Sequence, residues 1–122
     1  MGLSNLVGQT DLTAVLGNPQ YSVGSGVSEL PDKSFIVVCF EMDRTGNTGT
    51  KWELIHLPLA MDRVIDRVVV ETTSQTVGGI RTWKHDGDGK WYVTVMCNER
   101  EESTGWFHIK PKTYGPLQVA AN

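Results

Sequence analysis

From residue 34 onward, apolar positions follow the two-residue period of β-strands, and turn residues separate the runs. Ser34–Met42 is an almost continuous apolar run, which is typical of a strand buried on both faces. Lys51–Leu57 alternates, with Trp52, Leu54 and His56 on one face, and a proline follows it. The pattern therefore predicts two neighbouring strands, joined by a polar, Gly-containing loop at 43–49.

The clearest strand pair lies between residues 79 and 98. Two Asp-Gly steps at 86–89 separate two alternating segments, which is a strong local signal for a β-hairpin. A turn centred there pairs Trp83 with Tyr92 and His85 with Lys90. It also places four side chains on one face: Trp91, Val93, Val95 and Cys97.

Two further segments complete the predicted sheet structure. Trp106–Lys110 is the last predicted strand, and Pro111 is expected to end it. Residues 59–73 fit either a helix or a strand, and we predict a short helical turn followed by a strand from about Ile65. About six strands at this spacing predict a mostly β fold, either an antiparallel β-sandwich or a small barrel.

The N-terminal segment has a different composition. Residues 1–28 carry one charged side chain, Asp11, whereas residues 29–122 carry the other 24 of the 25 charged residues. A short helix is predicted over Asp11–Gly17, with Thr10 or Asp11 as its cap and Gly17 closing it. We therefore expect two parts, a low-charge N-terminal arm at 1–28 and a single β domain at 29–122.

Charge and hydropathy exclude several partners. The formal net charge is −3 and the pI is about 5.5, with Lys and Arg scattered and absent before Lys33. A nucleic-acid surface is usually basic, so no nucleic acid is expected as a partner. No apolar run approaches the roughly 20 residues that cross a bilayer, and the N-terminus does not resemble a signal peptide. The prediction is synthesis in the cytoplasm without membrane association.

Residue types that carry chemistry are present, but their spacing matches no known site. His56, His85 and His108 form no ligand pair, and Asp86 begins no complete calcium loop because its sixth position is not Gly. Cys39 and Cys97 each continue an apolar strand, so both are predicted to be buried, reduced thiols. The sequence therefore predicts no catalytic residues, no metal ligands, no cofactor and no enzyme activity. Whether the three histidines converge is left open.

These observations favour a structural protein that assembles with itself. The expected partners are further copies of the chain and another structural protein, as in a phage virion accessory, cement or tail component. The alternative is a small β-barrel module that binds a ligand or a peptide, and an enzyme is the third hypothesis. The predicted interface consists of apolar side chains of the arm: Leu3, Leu6, Val7, Leu12, Val15 and Leu16.

Overall fold

The computed structural model describes residues 2–17, 21–41, 51–72 and 77–120. After a 3-10 turn at Gly2–Ser4 these residues form one helix and seven strands. They are α1 (Thr13–Leu16), β1 (Ser22–Glu29), β2 (Phe35–Glu41), β3 (Lys51–Leu57), β4 (Asp66–Val69), β5 (Val77–Lys84), β6 (Trp91–Arg100) and β7 (Phe107–Tyr114). In this part of the chain, no helix is long and apolar enough to cross a membrane. The loop predicted at 43–49 lies outside the described residues.

The strands form two antiparallel sheets. Sheet A has the order β1-β2-β3-β4, and sheet B has the order β5-β6-β7. The sheets meet where β1 lies beside β5, and there the hydroxyls of Ser28 and Thr82 are 2.7 Å apart. The prediction of a mostly β, antiparallel fold is confirmed, and of its two forms the described residues build a sandwich rather than a closed barrel.

The main core lies between the sheets. Alternate side chains of a strand point to opposite faces, so one half of each central strand faces inward. The buried residues from sheet A include Ile36, Val38 and Leu54, and those from sheet B include Val93 and Val95. Burial of these side chains from water provides the main driving force for packing the two sheets together.

A second core covers the outer face of sheet A. It contains the side chains on the opposite face of β2 and β3, including Val37, Cys39 and Ile55, together with Leu16 of α1. Strand β2 is thus buried on both faces, as its continuous apolar run predicted. The predicted helix is present but begins later than expected, with Leu12 rather than Thr10 or Asp11 at its N-cap position. The Asp11 carboxylate nevertheless accepts a hydrogen bond from the Thr13 amide at 3.0 Å. Gly17 closes the helix at φ 75°.

The predicted hairpin is confirmed in position and register. Trp83 is paired with Tyr92, and their ring centroids are 5.3 Å apart. The turn is closed by a hydrogen bond from the His85 amide to the Lys90 carbonyl, 2.8 Å long. The face predicted for β6 is also confirmed, because Val93, Val95 and Cys97 are buried and Trp91 packs against the same core.

Pro111 does not end the last strand, contrary to the prediction. It lies inside β7, opposite Met96 of β6. Because β7 is an edge strand of sheet B, a residue without an N–H is tolerated where the backbone faces solvent. The strand therefore continues to Tyr114.

Two other segments differ in how far they follow the predictions. Between β3 and β4 the chain makes a turn closed by a hydrogen bond from the Met61 amide to the Pro58 carbonyl, and the strand predicted from about Ile65 follows as β4 at Asp66–Val69. The unexpected seventh strand is β1, which occupies the second half of the segment predicted to be an arm. Its Gly and Ser residues resemble a flexible segment in sequence, yet it pairs with β2 on both sides of an irregularity between Val23 and Val27.

Candidate functional site: the outer face of sheet B

The outer face of sheet B exposes several large apolar side chains. Since β6 directs Val93, Val95 and Cys97 into the core, its intervening residues point outward. The register continues this outer face onto both neighbouring strands. We define the outer face by five residues: Trp83, Met96, Phe107, Ile109 and Pro111.

Several of these side chains are exposed to an unusual degree. Phe107 is 61% exposed, Ile109 is 72% exposed and Met96 is 40% exposed. Trp106, which immediately precedes β7, is 72% exposed. Apolar side chains scattered singly are normal on protein surfaces, whereas a contiguous group usually marks an interaction site.

A groove crosses this face beside an irregularity in β5. The pairing of β5 with β6 shifts between Val77 and Ile80, and Gly79 adopts φ 142° there, a conformation that side chains rarely allow. Because Gly78 and Gly79 have no side chains, the floor of the groove is low. The groove has a volume of about 690 Å³ and is lined by Gly78, Gly79, Ile80, Arg81, Trp83, Lys84, Thr94, Met96 and Pro111.

One wall of the groove is held in place by hydrogen bonds and stacking. The indole N–H of Trp83 donates to the Thr94 hydroxyl at 2.8 Å, and that hydroxyl is 2.8 Å from the hydroxyl of Thr113. The Trp83 ring also stacks on the ring of Tyr92. A rigid aromatic wall loses little conformational entropy when a partner binds, which is why Trp is common at interfaces.

The six residues predicted as an arm interface are divided between two environments. Leu3, Leu6 and Val7 are at least 81% exposed. By contrast, Leu12 and Val15 pack against the second core and Leu16 is buried in it. The structure therefore brings the latter three together on sheet A of their own chain, while it leaves the first three in solvent.

An ion pair between the partly exposed Arg67 and the buried Glu53 ties α1 to sheet A. The Arg67 guanidinium pairs with the Glu53 carboxylate and also donates to the carbonyl of Leu16 at 3.1 Å. Burial alone would raise the pKa of Glu53, but hydrogen bonds from Arg67 and the Tyr21 hydroxyl outweigh it and hold that pKa below its ordinary value. The cluster fixes the end of the helix and is a structural feature of the N-terminal half.

Asp32, Ser34 and His56 form a second polar cluster. The Ser34 hydroxyl donates to Asp32, so it accepts from Nε2 of His56 at 2.8 Å. Nδ1 of His56 is buried and lacks a hydrogen-bond partner among the described residues. In this order the serine proton is directed to the carboxylate, which differs from the serine–histidine–carboxylate order of an activated nucleophile. Asp32 also accepts from the Ala120 amide at 2.9 Å, so the cluster fastens the C-terminal segment.

The three histidines do not share a site. His56 is buried in β3, His85 lies in the hairpin turn beside Asp88, and His108 contacts Glu101 beyond the other end of sheet B. Over the described ranges, no three His, Cys, Asp or Glu side chains are grouped as a metal ion requires. Asp88 accepts hydrogen bonds from the Lys90 amide and the Tyr92 hydroxyl, as expected of a turn residue.

Comparisons with family models, curated proteins and solved structures find no match to this chain. Sequence reasoning predicted the last strand, Trp106–Lys110, but did not predict that one of its faces is exposed and apolar. One signal was present, since Phe107 and Ile109 alternate with His108 and Lys110. That alternation shows a two-faced strand, but which face lies in solvent depends on the packing of the other sheet.

Proposed function

We propose that this protein is a structural subunit that assembles with further copies of itself through the outer face of sheet B. The observation that supports the proposal is the exposure of Phe107, Ile109 and Met96 on one sheet face, beside a groove walled by Trp83. A virion accessory, cement or tail component is the setting that we propose for such a subunit, with a second structural protein as a further partner.

A peptide-binding module is the second candidate function. The groove of about 690 Å³ falls within the size range of ligand sites, and its wall is preorganised by the Trp83–Thr94 hydrogen bond. The two functions differ in the state of the isolated protein, because a binding module is expected to be a monomer that remains soluble alone.

The native mass by light scattering tests the proposal. For the unmodified chain we expect the mass to increase with concentration from 13.5 kDa to a multiple of that value. The double variant Phe107→Thr/Ile109→Thr keeps strand-forming residues but removes the exposed apolar surface, so it is expected to remain a monomer. Val27→Thr is the matched control, since Val27 is a similarly exposed strand residue in sheet A.

A monomeric unmodified chain at all concentrations would contradict the proposed function. An assembly that the double variant and the control form equally well would show that another surface is used. Circular dichroism of each variant should match that of the unmodified chain, because all three side chains lie outside the two cores.

A further inference from the structure

The chain carries an exposed apolar segment as well as an exposed apolar groove. Residues 2–10 contain no charged residue, and the side chains of Leu3, Leu6 and Val7 are exposed. The groove on sheet B offers Trp83, Met96 and Pro111 as apolar contacts, with a low floor at Gly78. Both features expose apolar surface to water, and contact between them would remove both from solvent.

We propose that Leu3, Leu6 and Val7 of one copy occupy the groove on sheet B of a second copy. The inference rests on the proposed function and names the contact by which copies assemble. Since the three side chains are at least 81% exposed, they do not fill the groove of their own chain. The occupant therefore comes from another molecule.

The positions of the two features determine the kind of assembly. Helix α1 packs on the outer face of sheet A, so residues 2–10 begin on that side of the sandwich. The groove lies on the outer face of sheet B, the opposite side. A contact between different surfaces of two copies is head-to-tail, which leads to a ring when the rotation closes and to a filament when it does not.

The dimensions of the segment and the groove agree. Leu3 and Val7 are at most about 17 Å apart, which is the length of five fully extended residues. The 3-10 turn at Gly2–Ser4 shortens this distance. The β5 side of the groove runs from Gly78 to Lys84, a length of about 23 Å at the spacing of strand residues. The segment that carries the three apolar side chains is therefore short enough to lie within the length of the groove.

The outer face of sheet B alone is smaller than the area that a stable interface usually buries. Three strands at about 4.8 Å spacing and eight residues long cover roughly 350–400 Å² in projection. A stable interface typically buries about 800 Å² on each partner, or about a tenth of the 8271 Å² surface of this chain. The exposed N-terminal segment supplies additional apolar area without rearrangement of either core.

Charge does not oppose this contact. Arg81 and Lys84 stand at the rim of the groove, and neither forms an ion pair with a described residue. An occupant with basic side chains would be repelled there, whereas the uncharged segment 2–10 is not. Its polar residues, such as Asn5 and Gln9, can remain hydrated at the rim.

Two complementary variants test the inference. The arm variant Leu3→Ser/Leu6→Ser/Val7→Ser loses the exposed apolar side chains of residues 2–10 but keeps an intact groove. The groove variant Gly78→Leu has a filled groove but keeps those apolar side chains. A Cβ at Gly78 would lie 3.5 Å from Cβ of Met96, an ordinary contact, so the leucine is expected to fill the groove without disturbing β5. Each variant alone should be at least tenfold weaker in association than the unmodified chain. An equimolar mixture should form a 1:1 dimer of twice 13.5 kDa and nothing larger.

Controls separate folding from binding. Leu59→Ser removes a comparably exposed leucine from the turn after β3 and should assemble as the unmodified chain does. If Gly78→Leu does not fold, Met96→Lys replaces it, because Met96 is exposed on the same groove.

The outcomes distinguish this inference from the proposed function. An arm variant that assembles as well as the unmodified chain overturns the inference. In that case the proposed function still stands if the double variant Phe107→Thr/Ile109→Thr is a monomer. If the unmodified chain is a monomer, a synthetic peptide of residues 2–11 is titrated into the arm variant while Trp fluorescence is followed. A saturable change that Gly78→Leu abolishes supports the groove contact, and no change at millimolar peptide overturns it.

Discussion

Among single residues, the polar side chains buried by sheet formation impose the strictest requirements. Ser34, Glu53 and His56 are the buried polar residues of the described fold. A buried polar group must find a partner, because leaving it unpaired costs about 1–3 kcal/mol. Glu53 is satisfied by Arg67 and Tyr21, and Ser34 by Asp32 and His56. Only His56 retains a buried nitrogen without a partner among the described residues.

His56 should make stability depend on pH. Burial lowers its pKa, and the nearby carboxylates of Asp32 and Asp66 offset this only in part. The unfolded chain therefore binds a proton more readily than the native protein does. The free energy of unfolding should be constant above about pH 7 and fall as the pH drops through 6.5, by at most about 1.4 kcal/mol per pH unit for one proton.

Urea unfolding between pH 7.5 and 5 measures this dependence. His56→Gln keeps a donor near Ser34 but does not titrate, so its profile should be flat in the same window. A flat profile for the unmodified chain would contradict the assignment.

Gly115 is the glycine whose replacement should be most damaging. Its φ is 150°, and an added Cβ would lie 2.6 Å from the Tyr92 ring and 3.1 Å from the Trp91 carbonyl. Gly115→Ala is expected to destabilise the protein by about 1–3 kcal/mol in urea unfolding. Gly8→Ala is the control, since nothing lies within 4 Å of a Cβ there. Equal effects of the two substitutions would show that Gly115 is not constrained.

At the scale of elements, the N-terminal segment has three parts with different roles. Residues 2–10 carry the exposed apolar side chains, α1 covers the outer face of sheet A, and β1 is the edge strand paired with β2. The predicted boundary at residue 28 falls inside β1 (Ser22–Glu29). A deletion that tests residues 2–10 should therefore end before α1, and removal of 1–28 is expected to prevent folding because it deletes α1 and most of β1.

Paired substitutions test this division. Leu16→Ala removes a buried side chain from the second core and is expected to cost about 2–3 kcal/mol of unfolding free energy. Leu6→Ala changes an exposed side chain and should stay within about 0.5 kcal/mol. Similar values for both variants would mean that α1 contributes no more to stability than the exposed segment.

For the whole molecule, two cores share the same central strands. Strands β2 and β3 supply one face to the core between the sheets and the other to the core beneath α1. Loss of either core exposes one side of both strands, so we expect the domain to unfold as one unit. Cys39 lies in the second core, beneath α1, and Cys97 lies in the main core between the sheets. Both thiols are free and buried, as predicted.

The thiols provide a test of this cooperativity. Burial raises the pKa of both thiols, so each should react only after the protein opens. In Cys39→Ala and Cys97→Ala, the remaining thiol is expected to be labelled at one shared, slow rate that follows global unfolding in urea. Rapid labelling of one thiol alone would show that its core opens independently.

The sequence by itself determined the local features of this protein. Strict alternation in Lys51–Leu57, the Asp-Gly steps of the hairpin and the apolar run at Ser34–Met42 predicted β3, the Trp83–Tyr92 pair and a doubly buried β2. These features depend on residues that are close in the chain, where turn chemistry and two-residue periodicity act directly.

Only the tertiary structure decided which strand faces are covered. The Gly-rich β1 became a strand because β2 was available to pair with it, and Pro111 was tolerated because β7 lies at an edge. Leu6 and Leu16 have the same side chain in one segment, yet one is exposed and the other buried. Alternation divides the residues of a strand into two faces, whereas burial depends on which distant element packs against each face.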